Sequence, residues 1–265
     1  MTEAEWLAST DLWALLAQLN GARETRSRLL AWLASVRSRS TSRNGASERK
    51  SRLLAVACCR RIMHLIPAQE ARQCVEAAER YADGLLSDDE LEGAITASMR
   101  GTHEESQTRQ TSGRSFEPFE GEAVNAVGRV HRTEPHGRSG MYRAVCSAWE
   151  LAKRFPDGVP PDVVSVYDGQ PNAEYEREQA RQVELLRDIF GNPFRPVAFS
   201  PVWRTDTVIA LAAQMYESRD FSAMPILADA LQDAGCDNEG VLNHCRGPGL
   251  HVRGCWVVDL VLSKA

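Results

Sequence analysis

Five side chains able to ligate a borderline metal fall within 20 residues of one another: Cys236, His244, Cys245, His251 and Cys255. Zinc takes four such donors in a tetrahedron, and mixtures of thiolate and imidazole supply them. The spacing, Cys-x7-His-Cys-x5-His-x3-Cys, has no Cys-x2-Cys knuckle, and the adjacent His244 and Cys245 would rarely both reach one ion. The competing expectation is that the cysteines are small buried hydrophobes and the histidines bond loop carbonyls. A third chemistry pairs Cys245 with His244 or His251 as a thiol nucleophile and its base, as in a cysteine-dependent hydrolase. No known nucleophile signature surrounds it. The glycines of Arg246-Gly247-Pro248-Gly249 are not followed by Lys-Ser/Thr, so they make a turn and no phosphate loop.

Other groups have plainer readings. Asp229, Asp233 and Asp237 recur every four residues, but a hard cation gathers six or more oxygens, so a solvated face is expected. Asp259 stands alone in an apolar run and should be a buried acid, with Arg253 a suitable partner. Cys58 and Cys74 lie on apolar helix stripes and Cys146 lies beside Val145 and Trp149. Cys58 and Cys59 project about 100° apart on a helix, so they form no joint site.

Charge is unevenly placed. From Arg23 to Arg61 there are eleven basic residues and two acids, Glu24 and Glu48, although the chain carries −5 overall. Arg37, Arg39, Arg43, Arg49, Lys50 and Arg52 could therefore meet phosphates of a nucleic acid. Aromatic interleaving is limited to Trp32, and a merely solubilising segment is the alternative.

The elements that must position these groups read as helices. Thr2-Glu3-Ala4-Glu5 is a capping box opening a short helix with Trp6 and Leu7. Helices follow from about Asp11, across 26–36, and from Ser47 or Glu48 to Ile66, where Pro67 stops the run. Between them, 37–46 has Arg, Ser and Thr with almost nothing apolar, the pattern of a mobile loop. The next helix carries Ala71, Cys74, Val75, Ala78, Tyr81 and Ala82 as one stripe, with Arg72, Glu76, Glu79 and Arg80 facing away. Ser87 and Glu90 form a second capping box, and the polar run 101–115 predicts a loop or frayed helix. Helical segments across 119–131 and 139–154 precede a Pro-rich linker, 156–171, with 163–167 a short strand candidate. A C-terminal region then carries helices from Asn172 to Phe190, 205–218, 224–234 and Asp237 to Cys245, with Asn192 to Val197 extended. Periodicity leaves Cys255 to Leu262 open between helix and strand. The fold class is thus all-α or nearly so: an N-terminal helical region 1–155, the linker, and a C-terminal helical region 172–265.

Several phrases resemble an uncharacterised family of planctomycete bacteria. They are Arg187-Asp188-Ile189-Phe190-Gly191-Asn192-Pro193-Phe194-Arg195-Pro196, Pro225 to Leu231, and His244 to Gly249 running on to His251 to Trp256. Glu3 to Leu7 and Ala57 to Ile62 fit the same pattern, while the Arg/Ser-rich segment near residue 40 looks inserted. The resemblance implies no activity and no catalytic residues.

Composition bounds the rest. At 265 residues, 43% hydrophobic and 25% charged, the chain can bury a core of one large or two modest domains. No stretch is apolar enough to span a membrane, and Met1 to Glu5 lack the pattern of a secretory signal, so a cytoplasmic location is expected. Seven cysteines, an odd number in a chain of this size, fit that compartment. With no catalytic motif, the sequence favours a non-enzymatic protein-interaction or regulatory module over an enzyme. The alternatives are a zinc-stabilised domain touching nucleic acid and, behind it, the thiol hydrolase.

Overall fold

A computed structural model describes residues 1–19, 48–61, 63, 66, 68–111 and 173–264. Among these residues there are ten α-helices and no strand, so the all-α expectation is met. The helices 26–36, 119–131 and 139–154, the loop 37–46, the linker with its strand candidate and Cys146 lie outside them. The chain divides into two compact units, one of Met1–Ser9 with Val183–Ala265 and one of Thr10–Gln182. The first nine residues thus belong to the same compact unit as the C-terminal residues.

In the unit Thr10–Gln182, α2 (Leu12–Leu19) begins where the Asp11 carboxylate accepts the Ala14 amide at 3.3 Å. Helix α3 (Glu48–Arg61) buries an unbroken run from Arg52 to Cys59. It packs on α4 (Gln69–Ala82), whose stripe Ala71, Cys74, Val75, Ala78 and Ala82 is buried as the spacing predicts. Burial pushes the Cys59 thiol up to about 12 and the Cys74 thiol to about 11, as expected of core thiols. One outward assignment is corrected. Glu79 is only 2% exposed, because the Arg60 guanidinium grips both its oxygens at 3.0 and 2.9 Å. A buried carboxylate held by two parallel N–H bonds is tolerable where an unpaired one is not.

Helix α4 ends at Gly84, whose φ of +70° suits a residue without Cβ. The second capping box forms as predicted, with Ser87 and Glu90 exchanging both bonds. The helix it opens, α5 (Asp88–Thr111), is longer than expected and absorbs 101–111. The polar residues there satisfy themselves locally: Thr102, Thr108 and Thr111 each donate a hydroxyl to the carbonyl four residues earlier.

Expected behaviour separates the paired acid from its neighbour on the same helix. Glu79→Ala should lower unfolding free energy by about 1–3 kcal/mol in urea titration, since it strands Arg60. Glu76→Ala, on the exposed face, should stay within about 0.5 kcal/mol. Equal effects would contradict the inward placement of Glu79.

Candidate metal centre

The second unit holds α1 (Glu3–Ala8), the end of α6 (Ala173–Phe190), a 3-10 turn Pro201–Trp203, α7 (Asp206–Ser218), α8 (Met224–Asp233), α9 (Glu239–Arg246) and α10 (Trp256–Leu262). Its core gathers Val208, Met215, Leu227, Leu231, Val241 and Val258 with three thiols, Cys236, Cys245 and Cys255. Helix α8 starts with Pro225 in its first turn and closes at Gly235, φ +86°. The cap of α9 is Asn238, one residue later than predicted, because its Oδ1 takes the Val241 amide at 3.1 Å. The ambiguous segment Cys255 to Leu262 is helical, and Arg204 donates to the carbonyls of Leu260 and Val261 at its C-terminus.

These elements bring four donors together. Asp188 lies in the last turn of α6, His244 on α9, His251 on the loop that follows and Cys255 at the residue before α10. One ligand atom from each lies within 4.8 Å of every other. Asp188 Oδ1 is 2.7 Å from His251 Nδ1 and 3.2 Å from His244 Nε2. Cys255 Sγ is 3.2 Å from His244 Nε2 and 3.9 Å from His251 Nδ1. Zinc bonded to nitrogen, oxygen and sulfur at ordinary lengths separates its ligand atoms by roughly 3.3–3.6 Å. The observed edges straddle that span.

The loop is held from several sides. Gly247 caps α9 through its amide to the Asn243 carbonyl, and Arg253 donates to the Tyr216 carbonyl at 2.9 Å while lying 4.5 Å over that ring. Arg253, which lies between His251 and Cys255 in the chain, is thereby held against α7. The Val252 amide donates to Asp188 Oδ2 at 3.0 Å, leaving Oδ1 for the histidines. The ring of His244 rests against Trp256 and crosses that of His251 edge to face. Behind Trp256 stands Gly191, at φ +67°, where a Cβ would meet the indole at 3.1 Å. His251 Nε2 is buried and meets no hydrogen-bond partner among the described residues.

Electrostatics follow from burial. Burial raises the Asp188 carboxyl, but hydrogen bonds from His244 and His251 and their charge outweigh it and hold the group below its ordinary 3.8. That contribution to stability is present above the ordinary value and is lost as pH falls through the lower folded one. Cys255 moves the other way: burial first, then the Asp188 carboxylate, push its thiol well above 9.0, against the amides of Val258 and Val257. Without a cation it stays a thiol at neutral pH.

Of the five residues singled out by spacing, three converge and two do not. Cys236 and Cys245 are buried in the core and join no group of three or more donors among the described residues. The thiol that meets the imidazoles is Cys255, with Sγ 3.2 Å from His244 Nε2, and not Cys245, which burial pushes to about 12. Burial raises both thiols, whereas an activated nucleophile needs a lowered thiol pKa and access to solvent. Asp188 was missed. Its signal was present: it lies three residues past buried Leu185 on an apolar stripe, at the helix end where a carboxylate is electrostatically disfavoured.

Two of the phosphate candidates, Arg49 and Arg52, are otherwise engaged. Arg49 bonds Asp83 at 3.0 Å, and Arg52 is buried over the Tyr81 ring with Glu48 at 3.0 Å. Lys50 sits on the same helix, while Arg37, Arg39 and Arg43 lie outside the described residues. Asp229 pairs with Arg246 at 2.8 Å on the surface, in keeping with a solvated face. No helix among the described residues is long and apolar enough to cross a membrane. No protein-family model, no curated protein and no solved structure matches the chain.

Two glycines with left-handed backbones test the backing of the site. Gly235→Ala meets nothing within 4 Å, so it should lose only the backbone preference, about 1–2 kcal/mol. Gly191→Ala should lose more in the same thermal or urea titration, because Trp256 must also move. Equal losses would contradict the close packing behind His244.

Proposed function

We propose that the C-terminal unit is a zinc-binding module, with Asp188, His244, His251 and Cys255 as the ligands of one structural ion. The observation that carries this reading is the convergence of a carboxylate oxygen, two imidazole nitrogens and a sulfur from four separate points of the chain. A buried carboxylate, a buried thiol and two rings meet at one spot, and the buried His251 Nε2 has no hydrogen-bond partner among the described residues. A divalent ion binds all four donors at once. The mixture of sulfur and imidazole favours zinc over magnesium or calcium, which prefer oxygen alone.

A closed set of four protein donors favours a structural over a hydrolytic role, since a catalytic zinc keeps a position for water. The ligands agree with this, Asp188 and Cys255 being buried and His251 nearly so. The chemistry an ion would supply is charge neutralisation and cross-linking. It ties the end of α6 to α9, to the loop after it and to the start of α10. The protein would then use the stiffened unit as a scaffold for interaction with another protein, which keeps the non-enzymatic reading suggested by the sequence. Contact with nucleic acid draws no support from Arg49 or Arg52, whose guanidiniums serve the N-terminal helices. Kinship to the planctomycete family remains a proposal resting on the phrases quoted above.

The purified protein should carry about one equivalent of zinc by elemental analysis, and a chelator should lower its melting temperature, because binding is coupled to folding. Cys255→Ser and His251→Asn should each bring zinc to background. Cys236→Ser should retain it, losing only about 1–3 kcal/mol for a buried hydroxyl. Reloading the apoprotein at neutral pH should release at least one proton per ion, from the Cys255 thiol, measurable by calorimetry in buffers of different ionisation enthalpy. Zinc at background in the wild type after reloading would overturn the proposal.

A further inference from the structure

The metal ligand Asp188 has a neighbour with a different task. Arg187 extends one Nη2 to three backbone carbonyls at the end of α1: Trp6 at 2.6 Å, Leu7 at 3.0 Å and Ser9 at 2.8 Å. These are the carbonyls a helix C-terminus leaves unpaired, and a guanidinium there also meets the negative end of the dipole. The residues just beyond continue the grip. Asn192 Nδ2 donates to Glu3 Oε1 at 2.8 Å, Arg195 pairs with the same carboxylate, and Phe194 sits edge-on to Trp6. Trp6 is only 1% exposed. The Thr2–Glu5 capping box is complete, so the docked segment is a formed helix turn with both ends satisfied.

The stretch 187–195 is therefore shared. Its inward groups, Asp188 and the Gly191 contact to Trp256, belong to the metal cluster. Its remaining groups, Arg187, Asn192, Phe194 and Arg195, hold residues Met1–Ser9. All these residues lie in one compact unit. Asp188 and Arg187 share a single backbone turn, so whatever orders one side chain's backbone orders the other's.

Resting on the zinc reading, we propose that zinc occupancy and docking of the N-terminal segment Met1–Ser9 are thermodynamically coupled through the turn that carries Arg187 and Asp188. Zinc fixes the end of α6 and the Asn192–Arg195 turn in the arrangement that receives α1. Loss of zinc frees Asp188 from its cation and loosens that receiving surface, so the segment undocks first. By linkage the effect is reciprocal: displacing the segment must weaken zinc binding by the same factor by which zinc strengthens docking. Coupling between two such sites typically amounts to 5–150-fold.

The test uses the full-length protein, its Arg187→Gln variant and its Asn192→Ala variant, each stripped and reloaded with zinc. Neither substituted side chain is a ligand, so both variants should retain one equivalent. Their zinc affinity, measured by competition with a chromophoric chelator, should fall about 5-fold or more. In the wild type, amide hydrogen exchange across residues 5–9 should slow on zinc addition, by a factor similar to the affinity loss in Arg187→Gln. Helix content by circular dichroism identifies a variant that fails to fold, and the exchange measurement on the wild type then decides alone. Zinc bound at one equivalent with exchange in 5–9 unchanged would overturn the coupling while leaving the metal site intact. No zinc on the wild type would instead remove the reading on which the coupling rests.

Discussion

The C-terminal unit is organised around one buried carboxylate. Asp188 is 3% exposed at the C-terminal end of a helix, where the dipole disfavours an anion. A carboxylate there needs compensation from elsewhere in the chain. It receives two imidazoles, one amide and a thiol contact to its histidine partners. Because these groups come from α9, the following loop and the start of α10, satisfying the carboxylate fixes where those elements meet. The hydrophobic core of the unit would tolerate several arrangements of short helices. The polar cluster is directional and selects one.

That constraint also explains the peripheral pins. Arg253 anchors the loop between His251 and Cys255 to α7, and Gly191 lets Trp256 approach closely enough to back His244. Arg187 and Arg204 each close a helix C-terminus with a guanidinium, sparing two short helices the cost of unpaired carbonyls. Short helices are marginal alone, and here their ends are supplied with partners by distant residues. Metal binding at the cluster would add a covalent-strength tie where these contacts converge.

Much of this was legible in the sequence, and the failures have physical causes. Capping boxes at Thr2 and Ser87, the apolar stripe of α4 and the Pro225/Gly235 punctuation are local signals, and each formed as read. The extension of α5 through 101–111 was missed because threonine hydroxyls can rejoin the helix by bonding backward, which composition does not reveal. Glu79 was read as exposed because its partner, Arg60, lies on another helix. The same limit governs the site. His244, His251 and Cys255 are near one another in sequence, whereas Asp188 is 63 residues from His251 and joins only through tertiary packing. Cys236 and Cys245 are indistinguishable from Cys255 by type, spacing and burial, and only tertiary placement separates them: Cys255 alone of the three joins the donor group with His244, His251 and Asp188.

The most direct test of the central claim is X-ray absorption at the zinc edge on the metal-loaded protein. The proposed centre predicts a four-coordinate shell with one sulfur near 2.3 Å and three nitrogen or oxygen atoms near 2.0–2.2 Å. A shell with two or more sulfurs would mean that Cys236 or Cys245 leaves the core to ligate. A shell with no sulfur would exclude Cys255, and either result would contradict the Asp188–His244–His251–Cys255 site.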